Sequence, residues 1–587
     1  MEKNKMNIPN VNEHMKFKIA LVLIISLCIA VVPIFLYLGQ NANPLYYMGW
    51  VMLLPLVYLG FKLHRRRQIF LIIERIRGEW GRELKKDHKF EDISRLYRGM
   101  DRIDESQLTI DDQTWHDLNM DSIFKKIDRT TTSFGQQILY SMLRIPLLEK
   151  RKLLKRHEII NLFQKNTGIR EDILLRLNRL NSSDRGVLYN LIWGEASPDS
   201  GWKWIYYTFP VFLLGTLVLI PFMGAIALIR ITMPDFMMNI YLYYRAKAKM
   251  KVYLDSISSL SSFLVIAHEI GNMKLDEPIL EEYIAGLKSA CIHCRRIMKK
   301  TRKLQKLESR DPFGLNEYIK MLSFMDIRAL FAVLEDLRIN REHLQKIYKT
   351  LGKLDALLSI ASFRAGLSRY CIPNFSSGED WIEIQEMEHP LIQNAVPNSV
   401  RLEKNCGLIV TGSNMSGKST FMRTIGVNAI FAQTIYTCLA DSYGGGFFRI
   451  MTSISQEDNI VGGKSYFLSE AESLLRIIKG LNDKIPTLCI IDEIFRGTNS
   501  EERIGAAQRL LEYMVKQNAA VIVATHDLEL TQIDNPSYRC YHFSEKVGQT
   551  GLEFDFKLKK GVSTTRNALK ILGHLGYPSE IAGRRVK

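Results

Sequence analysis

Residues 409–423 read IVTGSNMSGKSTFMR. The apolar run GLIV at 407–410 leads into a glycine, four intervening residues and then Gly-Lys-Ser. That spacing, between a buried strand and a helix, is the pattern of a phosphate-binding loop. Its glycines let backbone N–H groups close around phosphate oxygens at the start of a helix. Gly412, Ser413, Asn414, Met415, Ser416, Gly417, Lys418, Ser419 and Thr420 are therefore expected to bind ATP. Lys418 is expected to reach the β- and γ-phosphates, and Ser419 to offer its hydroxyl to Mg²⁺.

Downstream, TLCIIDE at 487–493 is an apolar strand ending in two acids. Asp492 is the expected partner of Mg²⁺, and Glu493 the residue that polarises the attacking water. VIVATHD at 521–527 puts His526 at the end of a further strand, where it can sense the γ-phosphate. Between them, DNIVGGKSYFLSEAESL at 458–474 is a Gly-rich turn followed by a helix, with Ser465 near the helix start. Such a turn can present N–H groups to an anion. Within one chain it meets no obvious phosphate, whereas across a head-to-tail dimer it could meet that of the partner. A plain helix cap is the competing reading.

At 587 residues the chain is too long for a single core. Residues 69–203 and 245–375 carry apolar residues at three- and four-residue spacing, as in LLEKRKLLKRHEIINLFQ at 147–164. From about 380 the texture changes to short β-branched runs alternating with helices, which indicates a parallel α/β sheet in 380–587. The expected fold class is multidomain α and α/β.

Two apolar zones interrupt this plan. Residues 19–38 and 45–61 are uncharged runs joined by GQNANP, and the first is long enough to cross a hydrocarbon core of roughly 30 Å. Lys16 and Lys18 precede them and HRRRQ at 64–68 follows, so both ends of a hairpin in 1–68 are expected in the cytoplasm. Residues 204–244 form a second zone, broken only by Arg230 and Asp235. Four crossings are preferred, with a re-entrant or interfacial helical pair at 204–244 as the alternative. The expected location is the cell membrane, multi-pass, with the nucleotide site in the cytoplasm.

The formal net charge of +17 invites an anionic partner. Its densest source is 288–306, which contains Arg295, Arg296, Lys299, Lys300, Arg302 and Lys303 and no acid. A solvated helix face, lipid headgroups and DNA are the three readings, in that order. The eight cysteines are scattered. CIHC at 291–294 lacks a second pair to complete a zinc site, so reduced thiols are expected.

At this point the chain resembles the MutS family of ABC-type ATPases. TGSNMSGKSTFMR, DEIFRGTNSEE, ATHDLEL and GGKSYFLSEAESL resemble the family's nucleotide motifs and signature loop, and FKLKKGVSTTRNALKILGHLGYP the segment closing its ATPase domain. DDQTWHDLNM and TTTSFGQQILYSMLRIPL are similar to the start of its helical core and lever domain, and MEHPLI to the strand entering the ATPase. The resemblance implies a homodimer with two composite ATP sites, each closed by the partner's signature loop, which would give Ser465 its phosphate. It implies a helical lever and core domain followed by a C-terminal ABC-type P-loop ATPase domain. Two loop positions depart from the family: Ser413 stands where proline is usual and Ser416 where glycine is usual. The space of the mismatch-reading domain holds the first apolar hairpin, and the place of the DNA clamp holds the zone 204–244. The Phe-x-Glu string Phe543-Ser544-Glu545 lies beyond the ATPase motifs and reads as coincidence. The expected function is thus a membrane-anchored, mismatch-repair-related ATPase, with DNA a partner on family grounds only. A membrane-remodelling or scaffolding ATPase is the alternative. An ABC transporter is disfavoured by the lack of LSGGQ.

Overall fold

The computed structural model describes residues 11–562 and Pro578, except 44, 47, 49–50, 52, 101–107, 181–185, 195–202, 309–314, 377, 379, 414, 455–465, 482–483, 496–498, 534 and 549–550. The first helices are α1 (Val11–Asn41), α2 (Leu53–Glu79), α3 (Phe90–Met100), α4 (Asp112–Asp117), α5 (Met120–Ile127), α6 (Ser133–Arg144), α7 (Lys150–Lys165), α8 (Thr167–Asn178) and α9 (Val187–Trp193). Then come α10 (Lys203–Ala227), a π-helical turn (Leu228–Thr232), α11 (Met233–Gly271), α12 (Pro278–His293), α13 (Arg295–Glu308), α14 (Leu315–Ser323), α15 (Met325–Ile339) and α16 (Arg341–Ala365). Strands and helices then alternate: β1 (Asn374–Phe375), β2 (Trp381–Met387), β3 (Asn398–Glu403), β4 (Gly407–Thr411), α17 (Lys418–Thr434), β5 (Ser442–Gly445), β6 (Arg449–Ser453), α18 (Tyr466–Gly480), β7 (Thr487–Asp492), α19 (Ser500–Lys516), β8 (Ala519–Ala524), β9 (Tyr538–Gly548) and β10 (Gly551–Lys560).

The chain divides into two compact units. One comprises Met1–Arg82, Thr131–Phe134 and Phe163–Leu351; the other Glu83–Thr130, Gly135–Leu162 and Gly352–Lys587. The first is helical. Arg77 forms a bidentate pair with Glu171, at 2.7 and 2.9 Å, which joins α2 to α8. Arg176 and Arg179 both reach Glu269, joining α8 to α11. The helices α12 and α13 bury Leu287, Ala290, Cys294 and Ile297, whose three- and four-residue spacing makes one apolar stripe. Cys291 and Cys294 lie in this packed face, and burial pushes their thiols up to about 11 and about 12. They pack as small apolar groups.

Among the described residues no single helix is long and apolar enough to cross a membrane. Val22–Leu38 forms a shorter apolar helical segment. Arg230–Lys251 and Ser256–Gly271 reach the needed length only together, bent by 55°. The membrane hairpins expected at 19–38 with 45–61 and at 204–244 are thus not shown: α1 runs through the first run, α2 begins within the second, and α10 opens the third zone.

The second unit is built on two sheets. In the larger, the order is β10-β9-β4-β8-β7-β6, parallel throughout except for β10, which pairs antiparallel with β9. The smaller has the order β1-β5-β2-β3. β4 and β8 are buried at every position, as a parallel strand covered on both faces must be. One face of the large sheet packs Ile409, Cys489, Ile491, Val521 and Val523 against Leu474 and Ile477 of α18 and Leu511 and Met514 of α19. The helix α17 is buried nearly all round, and Gly426 lets it approach the sheet: a Cβ there would stand 2.8 Å from Leu118 and 3.2 Å from Ile490.

Edge strand β6 is covered by the segment around α4. Asp117 is fully buried and accepts from the Thr452 hydroxyl at 2.7 Å and the Ile454 N–H at 2.9 Å, while its carbonyl accepts from Arg423 at 2.8 Å. Residues 352–365 of α16 belong to the same unit. There Arg364, almost fully buried, donates to Thr437 Oγ1, to the carbonyls of Ile435 and Tyr436, and toward His157. These bonds satisfy carbonyls at the end of α17.

Candidate functional site

The parallel order of β4, β8 and β7 brings three chain turns to one edge of the sheet, the carboxyl edge where α/β proteins bind ligands. β4 runs into the loop before α17, β7 ends on Asp492, and β8 leads to His526 two residues beyond Ala524. Register aligns them: Val410 pairs with Ala524, and Ala524 with Asp492.

The loop is held in a conformation that its glycines permit. Gly412 has φ +149° and Gly417 φ +105°, both in the left-handed half of the map. A Cβ on Gly412 would stand 2.8 Å from the Ser416 hydroxyl and 3.1 Å from the Phe543 carbonyl. Lys418, 6 % exposed, donates from Nζ to the carbonyls of Gly412 at 2.8 Å and Ser413 at 2.9 Å, and lies 3.3 Å from His526 Nε2. The Ser419 hydroxyl donates to Asp492 Oδ2 at 2.5 Å. His526 Nε2 is 3.2 Å from Glu493 Oε1. Glu493 itself has φ +63°, a costly region for a residue with a side chain and one that recurs at functional sites. Its N–H donates to the Ala524 carbonyl at 2.9 Å, which fixes the turn. Arg503 of α19 pairs with both oxygens of Asp527, at 3.0 and 2.6 Å, and so anchors the residue next to His526.

These groups line one cleft of about 480 Å³. Ser413, Met415, Ser416, Gly417, Lys418, Ser419, Thr420, Asp492, Glu493 and His526 all contribute to its wall. These residues come from three separate sequence motifs. Gly412 stands directly behind the wall, its carbonyl holding the lysine. Asn414 and Ser465 lie outside the described residues.

Other parts of the wall carried no site role in the sequence. The segment with Ile392, Asn394, Val396 and Asn398 forms one side, and Phe556 stands beside Gly417. Asn398 ties the two: its amide donates to the Phe556 carbonyl at 2.9 Å, and its side-chain oxygen accepts from the Leu558 N–H at 2.8 Å. The pairing of β9 and β10 slips between Phe554 and Leu558, and that bulge aims Phe556, 42 % exposed and at φ +51°, toward the loop. Only the position of Phe556 at the head of FKLKKG signalled this, and a bulge leaves no mark in composition. Ser413 donates to Glu545, so Phe543-Ser544-Glu545 backs the phosphate loop. His389 also lines the cleft. It is 7 % exposed, burial and the nearby Arg423 and Lys126 cations lower its pKa to about 4, and its Nε2 has no hydrogen-bond partner among the described residues.

The donor set fits the groups that the motifs imply. The Ser416 hydroxyl is buried in the loop with no partner among the described residues, facing the same cradle that the glycines keep clear. Ser419 and Asp492 offer two hard oxygens and no nitrogen or sulfur, the ligand type of Mg²⁺. Among the described residues, no group of three or more His, Cys, Asp or Glu is gathered for a metal.

Family models match this architecture. That of MutS domain III matches residues 106–361, and that of MutS domain V matches residues 408–586, the stretch that holds the cleft's phosphate loop, Asp492, Glu493 and His526. The chain belongs to the MutS family. Among similar proteins, the DNA mismatch repair protein MutS of Thermus aquaticus is 25 % identical over 503 residues, 79 % of this chain and 60 % of the relative. The DNA mismatch repair protein MutS of Natronomonas pharaonis is 30 % identical over 262 residues, 43 % of this chain and 30 % of its own. MutS protein homolog 4 of Homo sapiens is 35 % identical over 247 residues, 38 % of this chain and 25 % of its own. This MutS-family chain therefore spans less than two thirds of each relative.

Proposed function

We propose that this chain is a mismatch-repair-related MutS ATPase that binds and hydrolyses ATP in a homodimer to move its helical lever. The supporting observation is the convergence on one cleft of Lys418, His526 and Glu493, linked in that order, and of Ser419 bonded to Asp492, at the carboxyl edge of β4, β8 and β7. In this reading Lys418 leaves the Gly412 and Ser413 carbonyls for phosphate oxygens. Ser419 and Asp492 would hold Mg²⁺, which when bound neutralises charge on the phosphates. Glu493 orients and deprotonates water, His526 holds the Glu493 carboxylate, and Phe556 with Ile392 and Val396 offers an apolar wall for the base. Ser465 acts on the partner's nucleotide. DNA enters as a partner through the family and through the relatives' names.

Hydrolysis assays on the full chain test this. Glu493→Gln should bind ATP, lose turnover by about 100-fold or more as removal of a general base does, and accumulate as the dimer in sedimentation. Lys418→Ala should lose ATP binding. A Glu493→Gln chain that hydrolyses ATP at the parental rate would remove Glu493 from the role.

A second reading has its own support. Apolar side chains stand exposed on α1, α2 and α10, among them Leu23, Ile29, Tyr58, Phe61, Val211 and Phe212. Exposed apolar surface on that scale marks a membrane or protein contact. We therefore keep attachment to the cell membrane as part of the proposal. In that version the apolar hairpins in 1–68 and 204–244 are the anchor, 69–203 and 245–375 are lever and core, and 380–587 is the ATPase domain in the cytoplasm. A membrane-remodelling or scaffolding role is its variant without DNA.

A further inference from the structure

The basic run at 288–306 folds into a surface with a definite direction. Lys288, Arg295, Arg296, Lys299 and Arg302 are all exposed; Lys288, Arg295, Lys299 and Arg302 share one side of α12 and α13 at seven-, four- and three-residue steps, with the exposed Ile292 between the first two. Cys294 alone separates the two helices, and its N–H still donates to the Ala290 carbonyl. At 1.5 Å per residue the stripe is about 21 Å long. The opposite side is consumed by packing, with Leu287, Ala290, Cys294, Ile297 and Thr301 each 1 % exposed or less.

The five cations make no ion pair among the described residues, unlike many surface cations of this chain, such as Arg77, Lys247 and Arg401. Lys300 shows the contrast on the same helix. It pairs with Asp336 at 2.7 Å and donates to the Ala332 carbonyl. The outward stripe has no carboxylate of its own in 288–306. A row of arginines and lysines on one helical face, with no ion pair among the described residues, complements a row of phosphates.

We propose that this face of α12 and α13 binds the phosphate backbone of nucleic acid, independent of base sequence. The inference deepens the DNA part of the functional reading and rests on it only for the class of ligand. It needs nothing from the ATP cleft. Two observations favour nucleic acid over a lipid surface. The apolar side of α13 is buried, so on this face only Ile292 of α12 is left to insert among acyl chains. The stripe also lies away from the exposed apolar end of α11. Lys288 abuts Gly271 at the far end of that helix, whereas Met237, Tyr241 and Tyr244 stand exposed near its start, about 40–50 Å away along a helix path that bends by 55°.

The test uses the full chain and a fluorescent 30-base-pair duplex of arbitrary sequence, titrated at several salt concentrations. A chain carrying Arg295→Gln, Arg296→Gln, Lys299→Gln and Arg302→Gln should bind at least about tenfold more weakly at 100 mM salt. Its slope of log affinity against log salt should fall by about 3.6, at 0.9 for each phosphate that is no longer neutralised. Arginine-to-lysine changes at 295, 296 and 302 should keep the slope. If the quadruple variant does not fold, single substitutions should each lower the slope by about 0.9. A parental chain that binds duplex with a slope shared by the folded variants overturns this face and leaves the DNA reading standing. No duplex binding at 50 mM salt overturns both. Loss of binding to phosphatidylglycerol–phosphatidylcholine vesicles in the variant, with duplex binding unchanged, overturns it in favour of lipid.

Discussion

Glu493 at φ +63° and Phe495 at φ +58° bracket a backbone strained where the chemistry is proposed, and neither angle is visible in the letters DEIF. The side-chain types were legible, because a phosphate loop, a strand-end acid pair and a strand-end histidine each carry a recognisable spacing. Their mutual distances were not, since hydrogen bonds such as Ser419 to Asp492 join residues far apart in the chain. His389 was legible only as part of MEHPLI. Its environment makes a testable claim. Burial first, then Arg423 and Lys126, hold its folded pKa at about 4 against an ordinary value of 6.5. The unfolded chain therefore takes up the proton first as pH falls. The stability that the neutral ring contributes is complete above about pH 6.5 and is lost as pH falls toward 4, by at most about 3 kcal/mol. Replacing His389 by Gln should remove that part of the slope. Urea midpoints of parent and variant at pH 7.5 and pH 5 check this, and a constant difference between them would show ordinary titration.

At the scale of elements, β4, β7 and β8 could be read from sequence because a strand covered on both faces must be apolar throughout, as GLIV, TLCIID and AAVIVA are. The bulge in β10 and the wall it makes with Asn398 could not, because a register slip depends on the partner strand. The same holds for α4. DDQTWHDLNM resembled a helical core element, yet Asp117 is bonded to Thr452 across 335 residues and seals edge strand β6. This contact predicts a cost. Asp117→Ala leaves the buried Thr452 hydroxyl and Ile454 N–H without their acceptor, and should destabilise the unit by about 3 kcal/mol. Thermal unfolding followed by circular dichroism measures it. A change below about 0.5 kcal/mol, the range of an ordinary surface substitution, would mean that water replaces the carboxylate.

At the scale of the molecule, the proposed membrane attachment has a direct outcome. If the apolar zones anchor the chain, alkaline carbonate should leave it in the pelleted membranes of expressing cells, whereas a chain without 1–68 and with polar residues across 211–218 should be released. Full extraction of the parent would sink the anchor and leave the nucleotide site untouched. Hydropathy alone marks those zones, which fall on α1, α2 and α10, whereas attachment is decided by what their exposed apolar side chains meet. Local sequence was enough for the secondary-structure periods, the nucleotide motifs and an acid-free basic segment, since each depends on neighbours within a few residues. Distant packing settled that β4, β8 and β7 lie side by side, that Phe556 and His389 complete the cleft, and that the basic segment turns outward a face with no ion pair among the described residues. Those outcomes depend on which distant surfaces bury one another, and no short window of sequence contains that information.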